Sequence, residues 1–209
     1  MLVYGALLSP YVRKVCLAAH EKGVAYELRL AGNGHGPQEF FDASPFGKIP
    51  AIRDGDFTLS DSSAILAWMD VKYPQVPLYP ADAEGRGRAV WFEEVADTVI
   101  GIPGLKVLFN RLVGPKLLKV GGDEALAAQG EAELPRGWDY LERAVPDEGW
   151  LAGAFSIADH AVAAMIASLA QVKVDPAAER YPRIAAWLAR VHARPAWQAV
   201  AEEAAARRR

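Results

Sequence analysis

The chain has 209 residues, of which 52% are hydrophobic and 23% charged, with a formal net charge of −3; this is enough to bury one large core or two modest ones. The balance gives no electrostatic reason to expect nucleic acid or an anionic membrane as a partner, and the one dense basic run, Arg207, Arg208 and Arg209, reads as a solvated tail. Cys16 is the sole cysteine, which excludes an intramolecular disulfide and asks for no oxidising compartment. Met1 leads into Leu2 and Val3 without a basic segment, and the most apolar stretch, 161–170, is about half a membrane span. Neither a leader nor a transmembrane helix is expected, and the cytoplasm is the expected compartment.

In chain order, residues 2–6 read as a buried strand, after which Ser9-Pro10 opens a helix with apolar positions at Val12, Val15, Cys16 and Ala19, closed by Gly23. Residues 25–30 form a second strand. A glycine-rich loop from Gly32 to Pro37 leads into a short helix at 38–41. Residues 49–53 and 57–60 flank Asp54-Gly55-Asp56, a hairpin signal. Asp61 begins a helix with Ile65, Leu66, Trp68 and Met69 facing inward and an end near Tyr73-Pro74. The economical packing of this order is a four-stranded mixed sheet with helices on its faces. Pro77 and Pro80 mark a linker over 77–83 between a first domain at 1–76 and a second at 84–209. The second domain reads as all-helical. A long helix or pair of helices over 84–110 is expected to kink or break at Gly101, Pro103 and Gly104, followed by helices at 124–145, 157–172, 184–193 and 196–205.

Three segments carry chemistry. The first, Ser9-Pro10-Tyr11-Val12-Arg13-Lys14-Val15, sets a hydroxyl at a helix N-terminus, where unpaired N–H groups and partial positive charge favour an anion. Ser9 is also a plain helix cap with Pro10 in its preferred place. The second, Ser44-Pro45-Phe46-Gly47-Lys48-Ile49-Pro50, puts proline directly before a strand. A cis Ile49-Pro50 bond there turns the chain and leaves the Ile49 backbone groups open to an extended peptide. The third, Leu59-Ser60-Asp61-Ser62-Ser63-Ala64-Ile65, sets a carboxylate and hydroxyls at another helix N-terminus, suited to a ligand with both an ammonium and a carboxylate.

With these segments in this order, the chain resembles the glutathione transferase family over nearly its whole length, in a serine-type, bacterial-like form. Phe155-Ser156-Ile157-Ala158-Asp159 is similar to the family's buried helix-capping motif, with Asp in place of Glu. Tyr181-Pro182 through Pro195-Ala196-Trp197 resembles its closing helices. The resemblance implies an α/β thioredoxin-like N-terminal domain followed by an all-α C-terminal domain, glutathione as co-substrate, a cytoplasmic detoxification role and a homodimer. It also implies Ser9 as the catalytic residue at the glutathione sulfur. Ile49, before Pro50, would pair with the cysteinyl backbone, and Asp61 and Ser62 would hold the γ-glutamyl end. Lys48 would reach the glycyl carboxylate, with His35 and Gln38 as weaker candidates. The small hydrophobic electrophile would bind between the domains near Tyr11, with Trp91, Phe92, Val95 and Phe109 as further lining candidates. Exposed Val71, Val90 or Val99 would be covered by the second subunit.

Other readings are weaker. Tyr4 lies where tyrosine-type members keep their donor, but Ser9 fits its own motif better; Cys16 faces inward as a core thiol. Gly32-Asn33-Gly34 runs into Pro37 where a dinucleotide fingerprint needs Gly or Ala, and the four histidines lack ligand spacing, so no metal is expected. Conjugation leads among the functions. A glutathione-dependent peroxidase, isomerase or dehalogenase stands as the alternative, and a non-catalytic binding module is the reading from outside enzymology. Retention of Ser9, Ile49-Pro50 and Asp61-Ser62 together argues against the module.

Overall fold

The computed structural model describes residues 1–207; Arg208 and Arg209 of the basic tail lie outside the described residues. Two compact units result, one made of Met1–Pro80 with the C-terminal segment from His192 onward, the other of Ala81–Val191.

The first unit begins with β1 (Leu2–Tyr4), α1 (Pro10–Glu21), β2 (Glu27–Arg29) and α2 (Gln38–Ala43). It continues with β3 (Ala51–Asp54), β4 (Phe57–Ser60) and α3 (Ser62–Lys72). Strand order is β2-β1-β3-β4, with β1 parallel to β2 and both β1/β3 and β3/β4 antiparallel. This is the expected mixed sheet. Alternation along β1 sends Val3 and Tyr4 to opposite faces. Tyr4 packs with Ala31, Phe40, Ala43 and Ala51, and Ile49 lies against that cluster. The hairpin turns on Gly55-Asp56, because Asp54 still pairs with Phe57. Trp68, expected on the inward face of α3, is half-buried and stacks on Phe57 with centroids 5.1 Å apart.

Gly23 closes α1 as expected: its N–H donates to the His20 carbonyl, and that of Val24 to Ala19. At the same end, Lys22 Nζ reaches Asp70 Oδ1 at 2.7 Å and the Tyr73 and Val76 carbonyls, while the Leu78 N–H donates to Asp70 at 2.7 Å. One partly buried ion pair thus ties the ends of α1 and α3 to the chain leaving the sheet. The last helix, α10 (Pro195–Ala206), packs on α1. Arg194 grips Glu21 through two bonds of 2.7 Å, and Tyr26 OH donates to Glu203 at 2.5 Å.

The second unit is helical. From α4 (Ala83–Glu94) the chain stays helical through a π-type turn (Val95–Ile100), α5 (Gly101–Leu108) and a further π-type stretch (Phe109–Leu118). Of the kink or break expected at Gly101 to Gly104, the break does not occur; the helical register changes at Gly101 instead. The i→i+5 register just before Pro103 and the small residues beside it let the chain absorb the missing N–H without stopping. The single helix expected over 124–145 is instead two, α6 (Glu124–Glu133) and α7 (Pro135–Ala144). Pro135 cannot donate to an i−4 carbonyl and occupies the N1 position of α7. A Cβ on Gly130 of α6 would collide with the Pro103 carbonyl, so that helix crossing needs glycine.

At the centre of this unit lies α8 (Ile157–Leu169), buried on all sides except at Ala167, with alanine at five of its thirteen positions where neighbours approach closely. Its capping box is formed by Ser156 and Asp159. Asp159, fully buried, also accepts from the Leu151 N–H at 3.2 Å and from Trp187 Nε1 of α9 (Pro182–His192) at 2.9 Å. Burial pushes the Asp159 carboxyl up, and these donors pull against that shift.

Candidate active site at one end of the sheet

The register assembles the candidate residues. Tyr4 pairs with Arg29 on one side and Ala51 on the other, and Ala51 pairs with Ser60. This row is the C-terminal end of β1, β2 and β4 and the start of β3. The connections carrying Ser9, Ile49-Pro50 and Asp61-Ser62 therefore leave the sheet at the same end. So does the Gly32 to Gly36 loop that follows β2. Helices α1 and α3 both begin here, which brings two helix N-termini to one edge.

Ser9 is the N-cap of α1, with extended backbone (φ −69°, ψ 127°). The Val12 N–H donates to its Oγ at 3.5 Å, the long limit of such a bond, and the hydroxyl proton remains available for donation. Gly5, with φ +151°, lets the chain double back over α1: a Cβ there would strike the Val12 side chain. The Ser9 N–H donates to the Ala6 carbonyl at 2.9 Å, and the Arg13 guanidinium to the Leu7 carbonyl at 2.9 Å.

The Ile49-Pro50 peptide is cis. Ile49 lies outside the ladder, which starts at Ala51, and the loop before it is held by the buried Ser44, whose hydroxyl donates to the Lys48 carbonyl at 2.7 Å. The Lys48 side chain is exposed. Asp61 caps α3, its Oδ1 accepting from the Ser63 and Ala64 N–H groups at 3.0 and 3.1 Å. Its backbone sits at φ 80°, ψ 127°, a conformation that a non-glycine residue keeps only where its surroundings impose it. Ser62, next to it, is buried.

The remaining candidates are spread over both units. His35 closes its loop through two backbone bonds with Gly32, and Gln38 Nε2 donates to Asp42; both are exposed. Tyr11 is half-buried in the first turn of α1. In the helical unit Phe92 and Val95 are buried, while Phe109 and Trp91 are exposed, the latter donating to Tyr140 OH at 2.6 Å. Tyr4 is fully buried against Phe40. Burial pushes the Cys16 thiol up to about 12, which leaves no thiolate at neutral pH. No group of three or more His, Cys, Asp or Glu among the described residues is arranged to hold a metal ion.

Sequence reasoning missed Arg13. It lay within the quoted Ser9 to Val15 segment, and the signal was a cation in the second turn of a helix whose N-terminus favours anions. Gly5 was missed as well, because its conformation depends on where Val12 ends up.

Comparison with known proteins shows the family. Residues 3–77 match a family model for the glutathione S-transferase N-terminal domain and residues 123–190 one for the C-terminal domain. A glutathione S-transferase of Hyoscyamus muticus is 30% identical, the match covering 97% of this chain and 98% of that protein. Glutathione S-transferase 3 of Zea mays is 33% identical, covering 94% and 90%. A glutathione S-transferase structure from Methylobacterium radiotolerans, in complex with glutathione sulfonate, superposes with a TM-score of 0.78 at 25% identity, covering 95% and 93%. The fold is thus a thioredoxin-like unit followed by helices, and the chain belongs to the glutathione S-transferase family, enzymes that use glutathione as co-substrate.

Proposed function

We propose that the protein is a serine-type transferase that conjugates the thiolate of glutathione to a small apolar electrophile, as a cytoplasmic, homodimeric detoxification enzyme. The observation that carries this reading is the shared ladder row of Tyr4, Ala51 and Ser60, from which the Ser9, Ile49 and Asp61 connections all emerge. The ends of β1 and β4 are two strand spacings apart, about 10 Å, and an extended tripeptide spans about 10 Å. Glutathione thus fits across the edge, with its γ-glutamyl group at Asp61 and Ser62, its cysteinyl backbone at Ile49, its sulfur at Ser9 and its glycyl carboxylate toward Lys48.

The chemistry follows from charge. A free thiol titrates near 8.5, and lowering that by about two units requires roughly 2.7 kcal/mol of preference for the thiolate. A hydrogen bond to a charged group contributes about 1.5 to 3 kcal/mol, and a helix N-terminus about 0.3 to 1. The Ser9 hydroxyl at the start of α1 supplies both. The thiol proton leaves to solvent; the sulfur then forms a bond to the electrophilic carbon, and a leaving group such as halide departs with its electron pair.

Calorimetry with glutathione, followed by a turnover screen over aryl halides, epoxides, enones, hydroperoxides and disulfides, tests the reading. Glutathione binding with conjugation of at least one of the first three classes is expected. Turnover of hydroperoxides or disulfides alone would replace it with a redox function, and binding without any turnover with a non-catalytic module.

A further inference from the structure

Helix α1 has no acidic residue in its first turn, yet Arg13 and Lys14 follow directly, with exposures of only 6% and 1%. Cations near a helix N-terminus oppose its dipole, and a buried charge requires partners. A buried cation set against the dipole points to a task at that position.

The geometry identifies the task. Arg13 stands four residues after Ser9, one helical turn away on the same face. Its backbone N–H donates to the Ser9 carbonyl at 3.0 Å, while its guanidinium Nη2 donates to the Leu7 carbonyl at 2.9 Å in buried surroundings. One residue therefore holds the chain on both sides of Leu8. The hydroxyl of Ser9 is poorly fixed by its own cap, since the Val12 N–H lies 3.5 Å away. Its direction is set by the backbone, and the backbone of the connection is set by these ties, by the Ser9 to Ala6 turn and by the packing of Gly5 on Val12. The charge of Arg13 also reaches His192, whose imidazole is held low by burial and then by that charge.

We propose that Arg13 is a positioning residue for Ser9: its guanidinium, bonded to the Leu7 carbonyl, fixes the connection that aims the Ser9 hydroxyl at the glutathione sulfur. This rests on the reading of Ser9 given above. Arg13 touches neither glutathione nor the electrophile. Its removal changes thiol activation while leaving the γ-glutamyl and cysteinyl contacts of the tripeptide intact.

The test is an ultraviolet difference titration of the bound glutathione thiolate in the wild type, Arg13→Met, Arg13→Lys, Ser9→Ala and the Ser9→Ala/Arg13→Met double variant, with calorimetry and thermal unfolding on each. Arg13→Met is expected to raise the bound thiol pKa by about one unit and to change the glutathione Kd by less than about threefold. Arg13→Lys, which keeps a cationic donor, is expected to recover at least about half of the shift. The double variant is expected to titrate like Ser9→Ala, because Arg13 acts through Ser9. If Arg13→Met does not fold, Arg13→Gln takes its place, alone and in the double variant, under the same expectation. A folded Arg13→Met or Arg13→Gln variant with the wild-type thiol pKa overturns the proposal, even with a lowered Tm. Additive shifts in the double variant overturn it too, since they mean that the charge acts directly on sulfur. If Ser9→Ala itself leaves the pKa unchanged, the reading of Ser9 fails and this proposal with it; if Ser9→Ala raises the pKa and the Arg13 variants do not, this proposal alone fails.

Discussion

Asp61 has two jobs that a single alanine substitution would confuse. Its Oδ1 caps α3 through the Ser63 and Ala64 N–H groups, and in the proposed complex its charge meets the γ-glutamyl ammonium. Asp61→Asn keeps an acceptor at the cap and tolerates the positive φ. Its stability in urea unfolding is expected within about 0.5 kcal/mol of wild type, while glutathione affinity falls at least about tenfold as a charged hydrogen bond is lost. Asp61→Ala is expected to lose affinity and also about 1 kcal/mol of stability. Wild-type affinity in Asp61→Asn would reduce Asp61 to a helix cap. At this scale the sequence was most legible where chemistry and local geometry coincide. Ser9 and Asp61 sit at helix starts and Ile49 directly before a proline, so their neighbours announce where they lie. Arg13 was not legible as a brace, because its partner Leu7 lies in a connection whose path the sequence alone does not draw.

Elements bounded by strong local signals were legible to within one or two residues: α1 between Ser9-Pro10 and Gly23, β4 after the glycine turn, α3 after Asp61. Where two local signals compete, the reading failed. Pro135 splits 124–145 into α6 and α7, and the chain from α4 to α5 survives Pro103 by shifting to a π-type register. Nothing local in α10 says that it packs on α1; that emerges only from Arg194 with Glu21 and Tyr26 with Glu203. This packing has a pH consequence. His192 stacks on Trp197 at 4.4 Å, and burial first, then the Arg13 charge, holds its imidazole below the ordinary 6.5. The unfolded chain therefore binds this proton at higher pH than the folded one. The resulting stability is fully present above about 6.5 and is lost as pH falls through 6.5 toward the lower folded value. The urea midpoint is expected to drop between pH 7 and 5.5 in the wild type, and to drop less in His192→Phe, which keeps the stack. Equal slopes would show that another group dominates.

For the whole molecule, the unit of function is proposed to be a pair. Val71 is 81% exposed on α3, and Val90 and Val99 are exposed on α4 and the following turn; apolar groups of this kind are what a C2 interface covers. Light scattering at micromolar concentration is expected to give twice the chain mass of 22.6 kDa, and a lone 22.6 kDa species would refute the dimer. The order of strands and helices in the first unit was readable because each short connection limits where the next element can go. The grouping of the C-terminal segment with that unit was not, since it joins residues nearly two hundred positions apart. The proposed function requires that the edge of the sheet activate the thiol of glutathione through Ser9. The most direct measurement is the ultraviolet titration of bound glutathione in the wild type and in Ser9→Ala, read beside steady-state kinetics. The bound thiol pKa is expected about two units below the free value in the wild type and raised in Ser9→Ala, with turnover at neutral pH cut about ten- to a hundredfold and glutathione affinity nearly unchanged. An unaltered pKa and turnover in Ser9→Ala would contradict it and turn attention to Tyr4 or to the backbone of the Gly5 to Leu8 connection.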